Sequence, residues 1–282
     1  MPIQQERPMK TCLLVAAVLL AAPLPALADK LEDLQKSGAV RIAIGNEPPF
    51  TAIDSAGNVS GAAPDVARAV FAALGIADLE ASILDYGAMI PSLQAGRVDA
   101  ITAGLFMKPE RCAAVAYSEP ILCDAEALLV PAGNPEGFRS YEDFAKDPEA
   151  RLGAPGGGTE EKLALEAGVP RDRLIVVPDP QSGLKMLQDG RIDAYSLPVL
   201  SLNALLDKSA DEKLEVFAPV VGAPVYCDGA AFNKRDTALR DAFDAELAKL
   251  KDSGEFARII EPYGFSAEAA MSTDRETLCA QE

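Results

Sequence analysis

Short apolar strands and amphipathic helices alternate along this chain, and the alternation runs through twice. Val40-Arg41-Ile42-Ala43-Ile44 has the two-residue period of a strand and ends at Gly45. The turn Gly45-Asn46-Glu47-Pro48-Pro49-Phe50 follows, and residues 54–61 are predicted as a hairpin tip turning at Gly57-Asn58. A helix opens near Pro64, carries Val66, Val70, Phe71 and Leu74 on one face, and stops at Gly75. A strand over 80–84 leads through Asp85-Tyr86-Gly87 to a helix over 88–95, with Ile90 and Leu93 inward, and then to a strand over 98–103. The pattern resumes after Pro131, with a strand over 152–154, a Gly-rich turn at Gly156-Gly157-Gly158-Thr159 and a helix over 160–167. A strand over 174–177, a helix over 181–188 and a strand over 192–197 complete the second pass. The C-terminal part is predicted helical over 236–251, capped at Asp236-Thr237 with Ala242, Phe243, Leu247 and Leu250 on its apolar face, and again over 255–263.

The two passes share a signature. Leu93-Gln94-Ala95-Gly96-Arg97-Val98-Asp99-Ala100 returns as Leu187-Gln188-Asp189-Gly190-Arg191-Ile192-Asp193-Ala194. Each copy reads as a helix end, a Gly stop and a short strand, so two similarly built α/β units stand roughly 90 residues apart. The strand–helix order implies mostly parallel sheets covered by helices. The predicted fold is α/β and two-lobed, each lobe a mixed, mostly parallel sheet with flanking helices, joined by two crossing hinge segments. Two apolar strands, 125–130 and 229–232, are expected to be those crossings. Lobe 1 is then discontinuous, residues 29–127 plus 225–282, and lobe 2 spans 128–224, with a cleft between them.

Residues 1–28 are set apart as a signal peptide. Arg7 and Lys10 precede an apolar run over 11–22, and Ala26-Leu27-Ala28 has the small-residue pattern of a cleavage site. The run is too short to span a bilayer, so a soluble, exported, periplasmic protein is expected, cleaved after Ala28. Cys112, Cys123, Cys227 and Cys279 then face an oxidising compartment, and two disulfides are expected. Cys112–Cys123, which closes a short loop, is the favoured pairing and leaves Cys227–Cys279. The chain holds no histidine, which excludes a Ser-His-Asp triad, a Cys-His pair and His-ligated metal, while carboxylate-only catalysis stays open. A net charge of −17 argues against nucleic acid and anionic membranes as partners. No cofactor is expected.

In open α/β sheets ligands sit beyond the carboxyl ends of strands. The segments there offer Glu47, Phe50, Tyr86, Phe106 and Arg111. Three aromatic faces with one carboxylate suit a flat or methylated organic cation. Arg111 can fork onto a carboxylate through two parallel hydrogen bonds. Across the cleft, the Gly156–Thr159 turn points helix-start N–H groups at an anion, and Thr159 adds a hydroxyl. The Gly-rich turn lacks the Lys of a nucleotide phosphate loop. These groups together ask for a small zwitterion, its cation among the aromatics and its carboxylate between Arg111 and Thr159.

Gly96-Arg97-Val98-Asp99-Ala100, Lys108-Pro109-Glu110-Arg111 and Ser118-Glu119-Pro120 resemble the family 3 extracytoplasmic solute-binding proteins that feed polar amino-acid ABC importers. The resemblance covers essentially the whole chain after residue 28. It implies two lobes that close on a ligand by a hinge, a membrane permease as partner, a monomer, and no enzymatic activity. It also implies that Arg111 and Thr159 share a ligand carboxylate. Two positions depart from the common pattern: Phe106 replaces a Ser or Thr, and Pro198 replaces an Asp that receives an α-amino group. With Glu47, Phe50, Tyr86, Phe106, Arg111 and the Cys112 and Cys123 positions, the chain is similar to the ectoine/hydroxyectoine-binding branch. A binding protein for another zwitterion (a betaine, an opine, a polar amino acid) and a cyclohexadienyl-type dehydratase with Glu47 as its acid are the competing expectations.

Overall fold

The computed structural model describes residues 30–280; the expected signal peptide lies outside them. The first pass runs α1 (Lys30–Ser37), β1 (Ala39–Ile44), β2 (Ala52–Ile53), β3 (Val59–Ser60), α2 (Ala62–Ala73), β4 (Asp78–Ile83), α3 (Tyr86–Gln94), β5 (Ala100–Ile101), α4 (Pro109–Ala114) and β6 (Ala116–Tyr117). Then come β7 (Cys123–Asp124), β8 (Glu126–Pro131), α5 (Tyr141–Lys146), β9 (Leu152–Pro155), α6 (Thr159–Glu166), β10 (Leu174–Val177), α7 (Pro180–Gln188), β11 (Ala194–Pro198), α8 (Val199–Ser209) and β12 (Leu214–Phe217). The chain closes with β13 (Tyr226–Cys227), β14 (Ala231–Phe232), α9 (Thr237–Asp252), α10 (Glu255–Ile260), α11 (Ala267–Met271) and α12 (Arg275–Ala280). Among the described residues no helix is long and apolar enough to cross a membrane.

The strands form two five-stranded sheets, ordered β4-β1-β5-β14-β6 and β10-β9-β11-β8-β12. In each, a parallel triple is followed by an antiparallel strand, β14 in the first and β8 in the second. The two lobes therefore have one plan, and each completes its sheet with a strand that arrives after a crossing. β2 and β3 pair as the predicted hairpin. Asp236 sits at the N-cap position of α9, whose Leu239, Phe243 and Leu247 are buried.

The crossings are not where apolarity placed them. Residues 126–131 are β8, which inserts Leu128 and Val130 into one core of the second lobe and Ala127 and Leu129 into the core on its other face. Burial on both faces makes a strand read as a continuous apolar run, and such a run marks a sheet interior. Ala231 and Phe232 are likewise inside the first sheet. The strands that cross are the short β7 and β13, paired antiparallel with Cys227 opposite Cys123. The disulfides correct the favoured pairing as well: Cys123 bonds Cys227 between the crossing strands, and Cys112 bonds Cys279, joining α4 to α12. Sequence proximity favoured Cys112–Cys123, whereas the discontinuous lobe brings the chain's end beside α4.

The octapeptide repeat has a structural cause. Asp99 accepts the Arg41 backbone N–H at 3.0 Å, Nε at 2.9 Å and Nη2 at 2.7 Å, and Arg41 Nη2 also donates to the Gly96 carbonyl at 2.9 Å. Asp193 does the same with Arg151, through N at 2.7 Å, Nε at 3.2 Å and Nη2 at 3.1 Å, while Nη2 reaches the Gly190 carbonyl at 2.9 Å. Both glycines are left-handed, with φ of 69° and 65°, which turns their carbonyls toward the guanidinium at no steric cost. The repeated Gly-x-x-Asp is thus a receptor for an arginine at or beside the parallel neighbour strand. It sits at the strand starts, away from the ends that carry Glu47 and Tyr86.

Burial pushes the Asp99 carboxyl up, but hydrogen bonds from Arg41 and Lys30 outweigh it and hold the group below the ordinary range. That stabilisation is present at neutral pH and is lost as pH falls through the depressed value. Asp99→Ala should lower stability by about 2–3 kcal/mol at pH 7, because Arg41 and Lys30 lose their shared charge-assisted acceptor. Asp193 is more exposed than Asp99, so Asp193→Ala should cost less; thermal melts of both variants at pH 7 and in acid check the order, and the Asp99 difference should shrink in acid.

Candidate functional site

The carboxyl ends of β1, β4 and β5 open toward the second lobe. Asn46, at φ 51°, turns the chain after β1 and sends Glu47 inward, where it is 4% exposed. Glu47 Oε1 accepts the Ser201 hydroxyl of α8 at 2.6 Å, so the contact spans both lobes. Tyr86, the first residue of α3, lies with its hydroxyl 3.2 Å from Glu47 Oε2 and 3.1 Å from the Ala103 carbonyl. Burial, and then the charge of Glu160, raise the Glu47 carboxyl to about 8 against the hydrogen bonds from Ser201 and Tyr86. Its environment favours either a proton or a nearby cation.

Phe106 packs in the wall, stacked on Tyr226 with ring centres 5.8 Å apart. The Lys108 ammonium lies 4.6 Å from the Tyr226 ring centre. Phe50 meets Phe106 edge-on at 5.9 Å and Phe265 at 4.7 Å. Arg111 of α4 donates through Nη1 to the Phe106 carbonyl at 2.8 Å and to Thr159 Oγ1 at 3.3 Å, and through Nη2 to the Gly157 carbonyl at 3.0 Å. Thr159 is the first residue of α6 and is buried. Arg111 therefore bridges the lobes, with its fork held open by backbone carbonyls on both sides.

Glu47, Tyr86, Phe106, Arg111 and Thr159 line one small pocket, together with Gly104, Gly158, Glu160 and Pro198. Phe50, the sixth predicted residue, is behind the wall, not in the lining: it is 1% exposed and supports Phe106 from the side. A wider groove opens from Glu47 and Tyr86 toward Ile83, Val176 and Pro178, but it includes neither Arg111 nor Thr159. The opposed charges are in the small cavity.

Glu160, Pro198 and Ser201 had not been assigned as site residues. Glu160 is the second residue of α6, where an acidic side chain is an ordinary partner of the helix dipole; its signal was its position beside Thr159. Here it is 4% exposed and part of the cavity wall. Burial raises its carboxyl, with Arg111 and Lys108 opposing. Ser201, in the first turn of α8, has no sequence mark of its own. Chemically, the cavity presents two carboxyl groups, aromatic faces, a guanidinium and a hydroxyl.

The family model of bacterial extracellular solute-binding proteins, family 3, matches residues 40–266. The chain belongs to this family. A probable amino-acid ABC transporter periplasmic-binding protein of Sinorhizobium fredii is 34% identical over 255 residues, which cover 88% of this chain and 84% of the relative. EhuB, whose crystal structure was solved in complex with hydroxyectoine, is 74% identical, with a TM-score of 0.89 over 90% of this chain and 99% of its own. The cyclohexadienyl dehydratase of Pseudomonas aeruginosa is 26% identical over 178 residues, 63% of this chain and 65% of the enzyme. The family is extracytoplasmic, and its members act as the solute-binding components of ABC importers.

Gly104 supports the aromatic wall. Its φ is 73°, and a Cβ there would lie 2.7 Å from the buried Phe50 ring. Gly104→Ala should lower stability by about 1–3 kcal/mol through overpacking and backbone strain. A urea titration checks it, and an unchanged midpoint would show that Phe50 is free to move.

Proposed function

We propose that this protein captures hydroxyectoine or ectoine outside the cytoplasm and presents it, as a monomer, to the permease of an ABC importer. The observation that carries the reading is the set of groups that line one pocket: buried Glu47, the aromatic Phe106 and Tyr86, and Arg111 bonded to Thr159. Ectoine is a cyclic zwitterion with a delocalised cation, and each of its ends has a partner of opposite character here. The likeness to EhuB supports the choice of solute. Its cation would lie between the Glu47 carboxylate and the aromatic faces, where exclusion of water strengthens both attractions. Its carboxylate would take the Arg111 fork and the Thr159 hydroxyl. Pro198, which lines the cavity without a charge, favours this solute over an ordinary α-amino acid.

Closure brings Gly87 of lobe 1 against Gly157 of lobe 2, with the Gly87 N–H donating to the Gly156 carbonyl at 3.3 Å. We infer that the hinge lies at the β7–β13 crossing, which moves the expected boundary 127/128 ahead of Glu126 and leaves 224/225 just before β13. A holding function rather than turnover is supported by the absence of histidine from the sequence and by Glu47 being fixed by Ser201 and Tyr86. The dehydratase relative makes an enzyme the second reading, and incubation with cyclohexadienyl acids tests it: no turnover is expected.

Isothermal titration with hydroxyectoine should give a saturable 1:1 isotherm. Tight binding of a polar amino acid, with none of hydroxyectoine, would overturn the solute. Arg111→Ala should weaken binding by about 2–4 kcal/mol, because the solute carboxylate would be left buried and unpaired. A Cβ on Gly157 would lie 2.5 Å from Gly87 N and Cα, whereas one on Gly87 would meet only ordinary contacts at 3.7 Å. Gly157→Ala should therefore keep the lobes apart: small-angle scattering at saturating hydroxyectoine should give a larger radius of gyration than wild type, and Gly87→Ala should not.

A further inference from the structure

Glu126 is the first residue of β8 and is fully buried. Its strand partner in β11 is Pro198, which lines the cavity, but Glu126 itself does not. No donor among the described residues reaches either of its carboxyl oxygens. The charged group that acts most strongly on it is the carboxyl of Glu160, which does line the cavity. Two carboxylates have only acceptors to offer, so they can bond only while one keeps a proton. The other groups acting on Glu126 are Lys108 ahead of α4, Glu47 after β1, Asp124 of β7, Tyr141 of α5 and Tyr226 of β13. Lys108 is the one cation among them, and it is itself buried.

We propose that Glu126 is a positioning residue that acts through Glu160: the pair holds one shared proton in the empty protein, and a cationic solute seated against Glu160 expels it to solvent. The step balances. A carboxylic acid and a carboxylate become two carboxylates plus one proton taken up by buffer, and the solute cation, Arg111 and Lys108 face the two charges. Glu126 starts β8 of the second sheet and Glu160 lies in α6, which packs on β9 of the same sheet, so the pair exists whether the cleft is open or closed. A solute without a positive charge cannot release the proton, which makes the pair a filter for charge beyond what Glu47 supplies. Burial raises both carboxyls, and the charge of Glu160 raises Glu126 further, in agreement with a retained proton. The inference rests on the reading of the solute as a zwitterion.

The test has a ligand-free and a ligand-bound arm. In empty protein carrying ¹³C-carboxyl glutamate, Glu160 should titrate well above the ordinary carboxylate range; in Glu126→Gln, whose amide donates to Glu160, it should fall to that range or below. Lys108→Met should move the same titration to higher pH, and serves alone if the Gln variant does not fold. In the second arm, calorimetry with hydroxyectoine at pH 6.5 in phosphate and in Tris counts protons released. The count should fall by up to about one in Glu126→Gln, since one proton is linked to the pair; Glu47 titrates in both proteins and cancels. An ordinary Glu160 titration in wild type overturns the shared proton. Equal proton counts in wild type and variant overturn the coupling. If wild type does not bind hydroxyectoine, the reading of the solute fails, and the first arm still decides the pair.

Discussion

A carboxylate withdrawn from water needs a positive charge, a set of donors or a proton, and the cost of having none is several kcal/mol. Glu47, Glu126 and Glu160 all lie out of solvent, and the cations that act on Glu126 and Glu160 are Lys108 and Arg111. Arg111 is held by the Phe106 and Gly157 carbonyls and Thr159, and no cation is among the groups that shift Glu47, so Glu47 retains its demand for one. The rest of the architecture serves that imbalance. Aromatic rings exclude water from it, Ser201 and Tyr86 fix the direction of one carboxylate, and two lobes allow the solute to enter before water is shut out.

The scaffold divides its labour along the strands. At their starts, one Arg–Asp staple per lobe ties neighbouring parallel strands through the same Gly-x-x-Asp turn. At their ends, the two lobes diverge: the first continues into Phe106 and Arg111, the second into Pro198 and Ser201. The shared half is an answer to a folding problem, and the divergent half is an answer to a chemical one.

Local periodicity made most of this legible. The strands and helices of both passes fall within a few residues of their predicted places, because amphipathic patterning is set by which face each element buries. Five of six predicted residues line the cavity, since strand ends and a helix start are visible in sequence. What escaped depends on the third dimension. The crossings were assigned to 125–130 and 229–232 because apolar runs are conspicuous, while β7 and β13 are only two residues each. Cysteine partners depended on where the C-terminal helices return. Glu160 and Glu126 resemble ordinary acidic residues until their burial is known.

The Cys123–Cys227 bond lies between the two strands that connect the lobes. Two separate linkers would let the lobes slide, roll and twist independently. A laddered and cross-linked pair acts as one ribbon, stiff in its own plane and compliant across it. Relative motion is thereby reduced toward a single angle, and each opening returns Arg111 to the same approach toward Thr159. The search for the closed geometry becomes nearly one-dimensional, which shortens the time between a solute's arrival and its enclosure.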